Sequence, residues 1–350
     1  GRDRGHLARL GRSGGLNEVI NVGLMGLGVV GSGVAQVLQE KVAAILETVG
    51  RPIRIKRALV RDLDKQRAFP LPRSILTTSA DDILLDPEIG VVVELLGGEE
   101  PAHSYLRQAI GRGKHVVTAN KEVLAKFGPE LLTLAQEHHV DVYFEGSVGG
   151  GIPLISPFKQ ALVANRVTRV RAIINGTTNY ILTKMAEEGT AFDVALRQAQ
   201  EMGYAEADPR NDVEGIDAAY KLAILASLGF HTVVRPHQVF HEGIGRLHPH
   251  DFRYARELGY AIKLLAIAKQ GQEAVEARVH PVLMPEHVLL AQVNGVFNAV
   301  EVEGDLMGRV IFYGRGAGAE PTAGAVVAEI IDLGHNMSVG VANRLSGRYE

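Results

Sequence analysis

Residues 203 to 221, GYAEADPRNDVEGIDAAYK, gather Glu206, Asp208, Asp212, Glu214 and Asp217 ahead of a single lysine, Lys221. The segment runs directly into the apolar stretch LAILASLGF, residues 222 to 230. Asn211 followed by Glu214 reads as a capping box, opening a helix over about 212–229. On that helix Asp217 and Lys221 stand four residues apart and share a face, continued by Ile224, Leu225 and Leu228. Charge placed where a helix enters a core must be paired or functional. An amine held there by a carboxylate can carry a proton to or from a reacting group. The same residues also read as a surface ion pair beside a solvated acidic loop, and the segment alone leaves both readings open.

A second chemical signal is Gly26-Leu27-Gly28-Val29-Val30-Gly31, a GxGxxG string that follows the β-branched run EVINVGL and precedes a helical stretch. In that context the first glycine permits a tight turn, the second admits a pyrophosphate to the backbone, and the third lets helix and strand pack closely. The helix N-terminus adds unpaired N–H groups for the phosphates. A glycine-rich turn without a ligand is the plainer alternative. The second strand ends at Val60-Arg61-Asp62, with Lys65 nearby. An acid there suits a ribose diol and an arginine suits a 2′-phosphate, so the order favours NADP, with NAD also usable. Arg61 also reads as a solvated strand-end charge.

The elements that must position these groups alternate. Strand-like stretches at 18–24, 53–60, 91–98, 115–120 and 140–146 are separated by helical stretches running to about Val49, over 101–110 and over 129–139. That grammar predicts a Rossmann-type doubly wound parallel sheet over residues 18–146. From 147 to 313 a strand at 166–174, a helix from Tyr180, helices at 191–202 and 212–229, and strands at 260–269, 275–284 and 296–313 predict an α+β domain built on one sheet with helices against it. Residues 314–335, a glycine loop and a helix ending near Leu333, are expected to return to the nucleotide domain. Residues 1–17 read as a disordered leader and 336–350 as a tail.

Composition narrows the class. With 350 residues, 46% hydrophobic and 22% charged, the chain is long enough for two cores. A net charge of −3 without a basic run gives no reason to expect nucleic acid or a membrane surface. No apolar run reaches spanning length. Zero cysteines exclude disulfides, thiol nucleophiles and thiolate-bound zinc, and agree with a cytoplasmic location. His237, His241, His248 and His250 lie among prolines and glycines without metal-ligand spacing.

Further polar strings stand where a scaffold does not need them: Thr118-Ala119-Asn120-Lys121, EGSVGGGIP at 145–153, NGTTN at 175–179 and GRGAGAEPTAG at 314–324. Together with GYAEADP and DVEGIDAAYK, and in this order from about residue 18 to 335, they resemble the homoserine dehydrogenases. The resemblance implies reversible reduction of L-aspartate 4-semialdehyde to L-homoserine with NADP or NAD, a step of threonine, methionine and isoleucine biosynthesis. It implies that Lys221 is the proton donor, that Asp217 contacts the substrate beside it, and that Lys121 lies near both substrate and cofactor. Glu206 would hold the substrate ammonium, and Asp212 would be a further acid at the site. Besides the glycine loop, Arg61 and Lys65, cofactor contacts are expected at Gly97, Thr118, Asn120, Lys121, Gly203 and Gly318. The EGSVGGGIP turn resembles the family's monovalent-cation loop, in which main-chain carbonyls of Glu145, Val148, Gly150 and Ile152 would hold Na+ or K+.

The same resemblance makes residues 147–313 the substrate-binding and dimerisation domain and a homodimer or dimer of dimers the expected assembly, with a small amino acid as the partner that matters. Neither the aspartate kinase nor the C-terminal ACT domain of some relatives is expected, nor a threonine feedback site. Asn175 and Thr177 read as turn builders, Asp208 as a turn residue and Glu214 as a helix cap. Two other readings compete: a different Rossmann oxidoreductase acting on a small amino or hydroxy acid, and a nucleotide-sensing protein without turnover.

Overall fold

β-Branched runs alternating with amphipathic helices build the first half. In chain order these are β1 (Ile20–Met25), α1 (Val29–Glu40), α2 (Val42–Val49), β2 (Ile53–Leu59), β3 (Leu76–Thr77), α3 (Asp81–Leu84), β4 (Ile89–Glu94), α4 (Ala102–Gly111), β5 (His115–Thr118), α5 (Lys121–Glu137) and β6 (Val142–Tyr143). The structure, a computed structural model, describes residues 19–341; the leader and the end of the tail, 342–350, lie outside the described residues. The six strands form a parallel sheet in the order β3-β2-β1-β4-β5-β6. β1 and β4 are buried along almost their whole length, as strands covered on both faces must be. The order reverses between β1 and β4, so their C-terminal ends open a crevice of the kind that takes ligands in such sheets.

The second half comprises α6 (Ile155–Lys159), β7 (Val167–Ile173), α7 (Gly176–Glu188), α8 (Phe192–Glu201), α9 (Arg210–Val213), α10 (Ile216–Phe230), β8 (Phe240–His241), α11 (Pro249–Glu257), β9 (Tyr260–Gln270), β10 (Val275–Pro285), β11 (Phe297–Gly304) and β12 (Gly308–Arg315). Its sheet runs β12-β11-β7-β9-β10-β8, antiparallel apart from the β8–β10 pair. Helices α7, α10 and α11 cover one face. There Leu222, Leu225 and Ala226 of α10 pack over Val170 and Ala172 of β7 and Leu264 and Ala266 of β9. Each fully buried leucine contributes about 1.5–3 kcal/mol, which anchors α10 and the charged groups it carries. The last helix, α12 (Ala319–Ser338), crosses back and lays Ala323, Val326, Ile330 and Leu333 into the core with α1 and α2.

Several expectations need correction. The helix expected from 212 is two helices. α9 ends at Val213 with Glu214 as its C-cap, Gly215 turns the chain at φ +80°, and α10 starts at Ile216 without a side-chain cap. Asn211 and Glu214 therefore form no capping box. α5 begins at Lys121, not 129, because Asn120 Oδ1 accepts the N–H of Val123; Pro129 is carried inside the helix. Likewise α7 begins at Gly176, capped by Asn175, ahead of the expected Tyr180. The stretch 296–313 is a hairpin of two strands, and only two residues of 140–146 pair as strand before a 3-10 turn at Glu145–Ser147. The final helix continues into the expected tail, to Ser338.

Candidate active site

Asp217, in the first turn of α10, is 3% exposed, and Lys221 one turn later is 9% exposed. Lys221 Nζ donates to Asp217 Oδ2 at 2.7 Å and to the Ile174 carbonyl at 2.9 Å. Lys121, the first residue of α5, pairs with the other oxygen, Asp217 Oδ1. Burial alone would protonate Asp217, but the two ammonium groups outweigh it and hold the carboxyl well below the usual range. Burial lowers the pKa of Lys221 despite Asp217, and the neighbouring Lys121 lowers it further. For Lys121 burial is overcome by Asp217, with Asp212 and Glu206 adding to the pull, and its pKa is raised. An ammonium has three donors. Lys221 uses two within the protein, and the third is free among the described residues.

Lys221 and Lys121 both line a cavity of about 250 Å³, whose walls also include Val30, Gly97, Asn120, Gly150 and Gly316. This cavity joins the turns after β4 and β5 and the start of α1 to the loop after β12 and to Lys221 of α10. A Cβ on Gly26, which sits at φ +99°, would stand 2.7 Å from the Leu95 carbonyl, and one on Gly31 would stand 2.1 Å from the Gly26 carbonyl. A Cβ on Gly28 would meet nothing within 4 Å. Thus the first and third glycines close the turn, while the second leaves open space at the start of α1, as a bound pyrophosphate requires. The glycine turn would hold a dinucleotide's pyrophosphate, and Val30 of that turn and Lys221 line the same cavity.

Comparison with known proteins decides the family. Residues 153–331 match the family model described as homoserine dehydrogenase, and residues 26–145 match its NAD-binding domain. The homoserine dehydrogenase of a Synechocystis species is 51% identical across 90% of this chain and 73% of its own length. The chain belongs to the homoserine dehydrogenase family. It is accordingly an NAD(P)-dependent oxidoreductase. The Bacillus subtilis enzyme is 45% identical over 93% of this chain and 75% of its own. The solved homoserine dehydrogenase from Thiobacillus denitrificans superposes with a TM-score of 0.88 at 49% identity, covering 92% of this chain and 75% of that one. A hyperthermophilic archaeal homoserine dehydrogenase solved with NADPH superposes at 0.76 and 27% identity, covering 90% of this chain and 97% of that one.

Measured against what the sequence marked for a homoserine dehydrogenase, the structure brings Lys221, Asp217 and Lys121 together, with Asp212 one residue removed through Asn175. Glu206 lies exposed on the loop after Gly203, where its charge acts on Lys121. Val29 and Gly28 are exposed at the mouth of the glycine turn. Arg61 and Lys65 lie exposed beyond β2, the strand beside the glycine turn, and Arg61 has no partner among the described residues. Asp208 is held by Arg210 in its own turn.

Thr118, Gly203 and Gly318, all expected at the cofactor, are not among the walls of this cavity. Thr118 does not face the cavity: it is fully buried and donates at 2.6 Å to Glu94, while its oxygen accepts the Asn120 N–H. Gly318 is an exposed cap of α12, and the late glycine loop reaches the cavity through Gly316 and Ala317 instead. The spacing of GRGAGAEPTAG could not say which glycine faces inward. Sequence reasoning also missed Asn175, whose amide touches two of the acids. The cap pattern of NGTTN was visible, but its second partner was not. Glu94 was missed as well. It is buried at the end of β4, accepts the Leu96 N–H at 2.7 Å, and is driven towards its protonated form by burial.

The EGSVGGGIP turn forms the wall between the two halves. Glu145 Oε1 accepts the N–H groups of Leu154 and Ile155, and Oε2 accepts the N–H and hydroxyl of Ser156. That carboxylate therefore holds the turn and is not free for a ligand. The Glu145 carbonyl accepts only a long bond from Val148 N–H, 3.4 Å, and the carbonyls of Val148, Gly150 and Ile152 accept none among the described residues. Buried carbonyls normally find a donor, so this turn keeps acceptors to spare.

Proposed function

We propose that this chain interconverts L-aspartate 4-semialdehyde and L-homoserine with Lys221 as the group that gives and takes the proton. When bound, the nicotinamide supplies or accepts the hydride. In the reducing direction negative charge builds on the carbonyl oxygen, and the free N–H of Lys221 is placed to meet it and then transfer a proton. Asp217 keeps the ammonium fixed, and Lys121 adds a second positive charge to the same site. Glu206 and Asp212 supply negative charge for the substrate's ammonium group; Lys121 suits its carboxylate. Gly26, Gly28 and Gly31 would hold the pyrophosphate, and Arg61 with Lys65 would favour a 2′-phosphate. The observation that carries this reading is the buried Lys221 with one unspent donor at the cavity wall. The test is the nicotinamide absorbance change with homoserine, using NAD and NADP side by side, against malate, lactate and aspartate. Turnover with homoserine alone, faster with NADP, is expected; equal turnover with malate or lactate would contradict it.

The unpaired carbonyls of Val148, Gly150 and Ile152, with that of Glu145, support Na+ or K+ binding beside the site. Activity and melting temperature should both rise when sodium or potassium replaces choline at constant ionic strength. Identical values in the three salts would remove the cation from the account.

A homodimer is supported by the second face of the β7–β12 sheet. Among the described residues only the short 3-10 turn Leu289–Gln292 packs there, and Ile267, Val282 and Ile311 stay half buried around Leu265, Met284 and Ala299. Light scattering should give twice the chain mass. Among the described residues no single helix is long and apolar enough to cross a membrane, and a cysteine-free chain suits a cytoplasmic enzyme.

A further inference from the structure

Asn175 sits at the C-terminal end of β7 and caps α7. Its Oδ1 accepts the N–H of Thr178 at 2.8 Å and the Thr178 hydroxyl at 3.0 Å. Because a main-chain N–H can only donate, the oxygen of the amide must face α7, and the NH2 group must face the other way. It faces two carboxylates. Nδ2 lies 2.7 Å from Asp212 Oδ1 and 2.9 Å from Asp217 Oδ2. An amide nitrogen has two hydrogens, and each is given to a different acid. The residue before it, Ile174, gives its carbonyl to Lys221. One turn after β7 therefore fixes the lysine and both acids at once.

The local chain geometry is built for this. Asp212 belongs to α9 and Asp217 to α10, and the break at Gly215 lets two helices present their acids to one side chain. Asn175 is 5% exposed, so solvent cannot replace its amide. Without it two carboxylates would face each other across a buried gap, and like charges that close favour shared protonation. The groups around them are known. Asp217 faces Lys121 and Lys221, and Asp212 faces Asp217 and, more weakly, both lysines. Burial already raises the pKa of Asp212, and the Asn175 amide is the strongest group opposing that rise.

We propose that Asn175 is a positioning residue for the reaction: its amide bridges Asp212 and Asp217, keeps them both charged, and so holds a negative seat for the substrate's ammonium group beside a fixed Lys221. This rests on the reading of the cavity as the homoserine site. Asn175 need not touch the substrate; it acts through the two acids.

The decisive variant is Asn175→Ser. Serine caps a helix as well as asparagine, so α7 is kept, but it has no NH2 group to reach the acids. The variant should melt within a few degrees of the wild type and bind NADPH unchanged, since the glycine turn is remote from it. Its KM for homoserine should rise about ten-fold or more. The acidic limb of kcat/KM should move to higher pH, because Asp212 and Asp217 lose a donor that stabilises their charged forms. Asn175→Asp keeps the cap oxygen and adds a third carboxylate, and should be worse than the serine variant at neutral pH. An Asn175→Ser enzyme with the wild-type KM and an unmoved acidic limb overturns the proposal. Lys221→Ala separates this from the underlying site reading. If that variant is inactive while Asn175→Ser is normal, the site stands and the bridge fails; if Lys221→Ala is fully active, the site reading itself fails.

Discussion

Lys121, the first residue of α5, forms an ion pair with Asp217, in the first turn of α10, across the seam between the two sheets. The pair ties the dinucleotide side of the cavity to the side that carries Lys221. One carboxylate thus serves two ammonium groups from different parts of the chain.

Replacing Asp217 by Asn should therefore harm both lysines. Breaking a fully buried pair by removing one partner costs about 3–5 kcal/mol, and less here, because Lys121 is partly in solvent. Urea melts should show the lost stability, and kcat should fall by about 10²–10⁴-fold, the range of a lost proton-transfer arrangement. A stable, fully active Asp217→Asn enzyme would show that the carboxylate only decorates the helix.

Glu94 makes the opposite prediction for its own conservative change. It joins the turn after β4 to the Thr118–Asn120 turn through Leu96 N–H and the Thr118 hydroxyl, and burial favours its neutral form. Glutamine is neutral and of the same shape, so Glu94→Gln should keep both turnover and NADPH affinity near wild type at neutral pH. Glu94→Ala leaves buried donors unpaired, at about 1–3 kcal/mol each. It should weaken NADPH binding. Equal damage from both variants would mean that the charge of Glu94 is required.

Gly316 is pressed against Asn298, whose Oδ1 would lie 1.2 Å from a Cβ at that position, and a Cβ on Gly150 would come within 2.7 Å of the Gly316 carbonyl. Gly316→Ala must displace the buried Asn298, which donates to the Ile173 carbonyl at 2.9 Å. Overpacking of this kind costs about 1–3 kcal/mol, and the displaced loop should raise the KM for cofactor. Gly28→Ala meets open space, so it should spare the melting temperature and harm cofactor binding alone. Thermal melts and NADPH titrations of the two variants together test this contrast.

Much of this was legible in the sequence because local rules act locally. The glycine turn, the alternation of strands and helices, and the i,i+4 spacing of Asp217 and Lys221 follow from residue types and periodicity. What stayed hidden depends on contacts distant in sequence. Asn175 announces itself as a cap, yet its second role needs Asp212 and Asp217, brought to it by the break at Gly215. Thr118 has the right position for a cofactor contact, but Glu94 on the neighbouring strand claims its hydroxyl. Gly316 and Gly318 are equivalent as letters and differ only once Asn298 and Gly150 pack against the first. The start of α5 at Lys121 was masked by Pro129, which suggested a helix beginning there rather than one passing through.

The pH dependence has a defined sign. Burial and Lys121 hold the pKa of Lys221 below its ordinary 10.5. Homoserine oxidation needs the neutral amine, so its kcat should rise with pH through that lowered value; aldehyde reduction needs the ammonium and should fall through it. Lys121→Met removes a repelling charge and leaves Asp217 to Lys221 alone, so both limbs should move to higher pH. Limbs that stay in place, or move down, would detach the titration from Lys221.

In the proposed reaction Lys221 handles the proton while the rest of the chain holds cofactor and substrate. This role is tested most directly by Lys221→Ala, with homoserine turnover and NADPH affinity measured on the same preparation. In that variant kcat should fall about 10²–10⁴-fold with NADPH affinity unchanged within about two-fold, because the glycine turn that would hold the pyrophosphate is built without Lys221. Turnover at the wild-type rate would contradict that role.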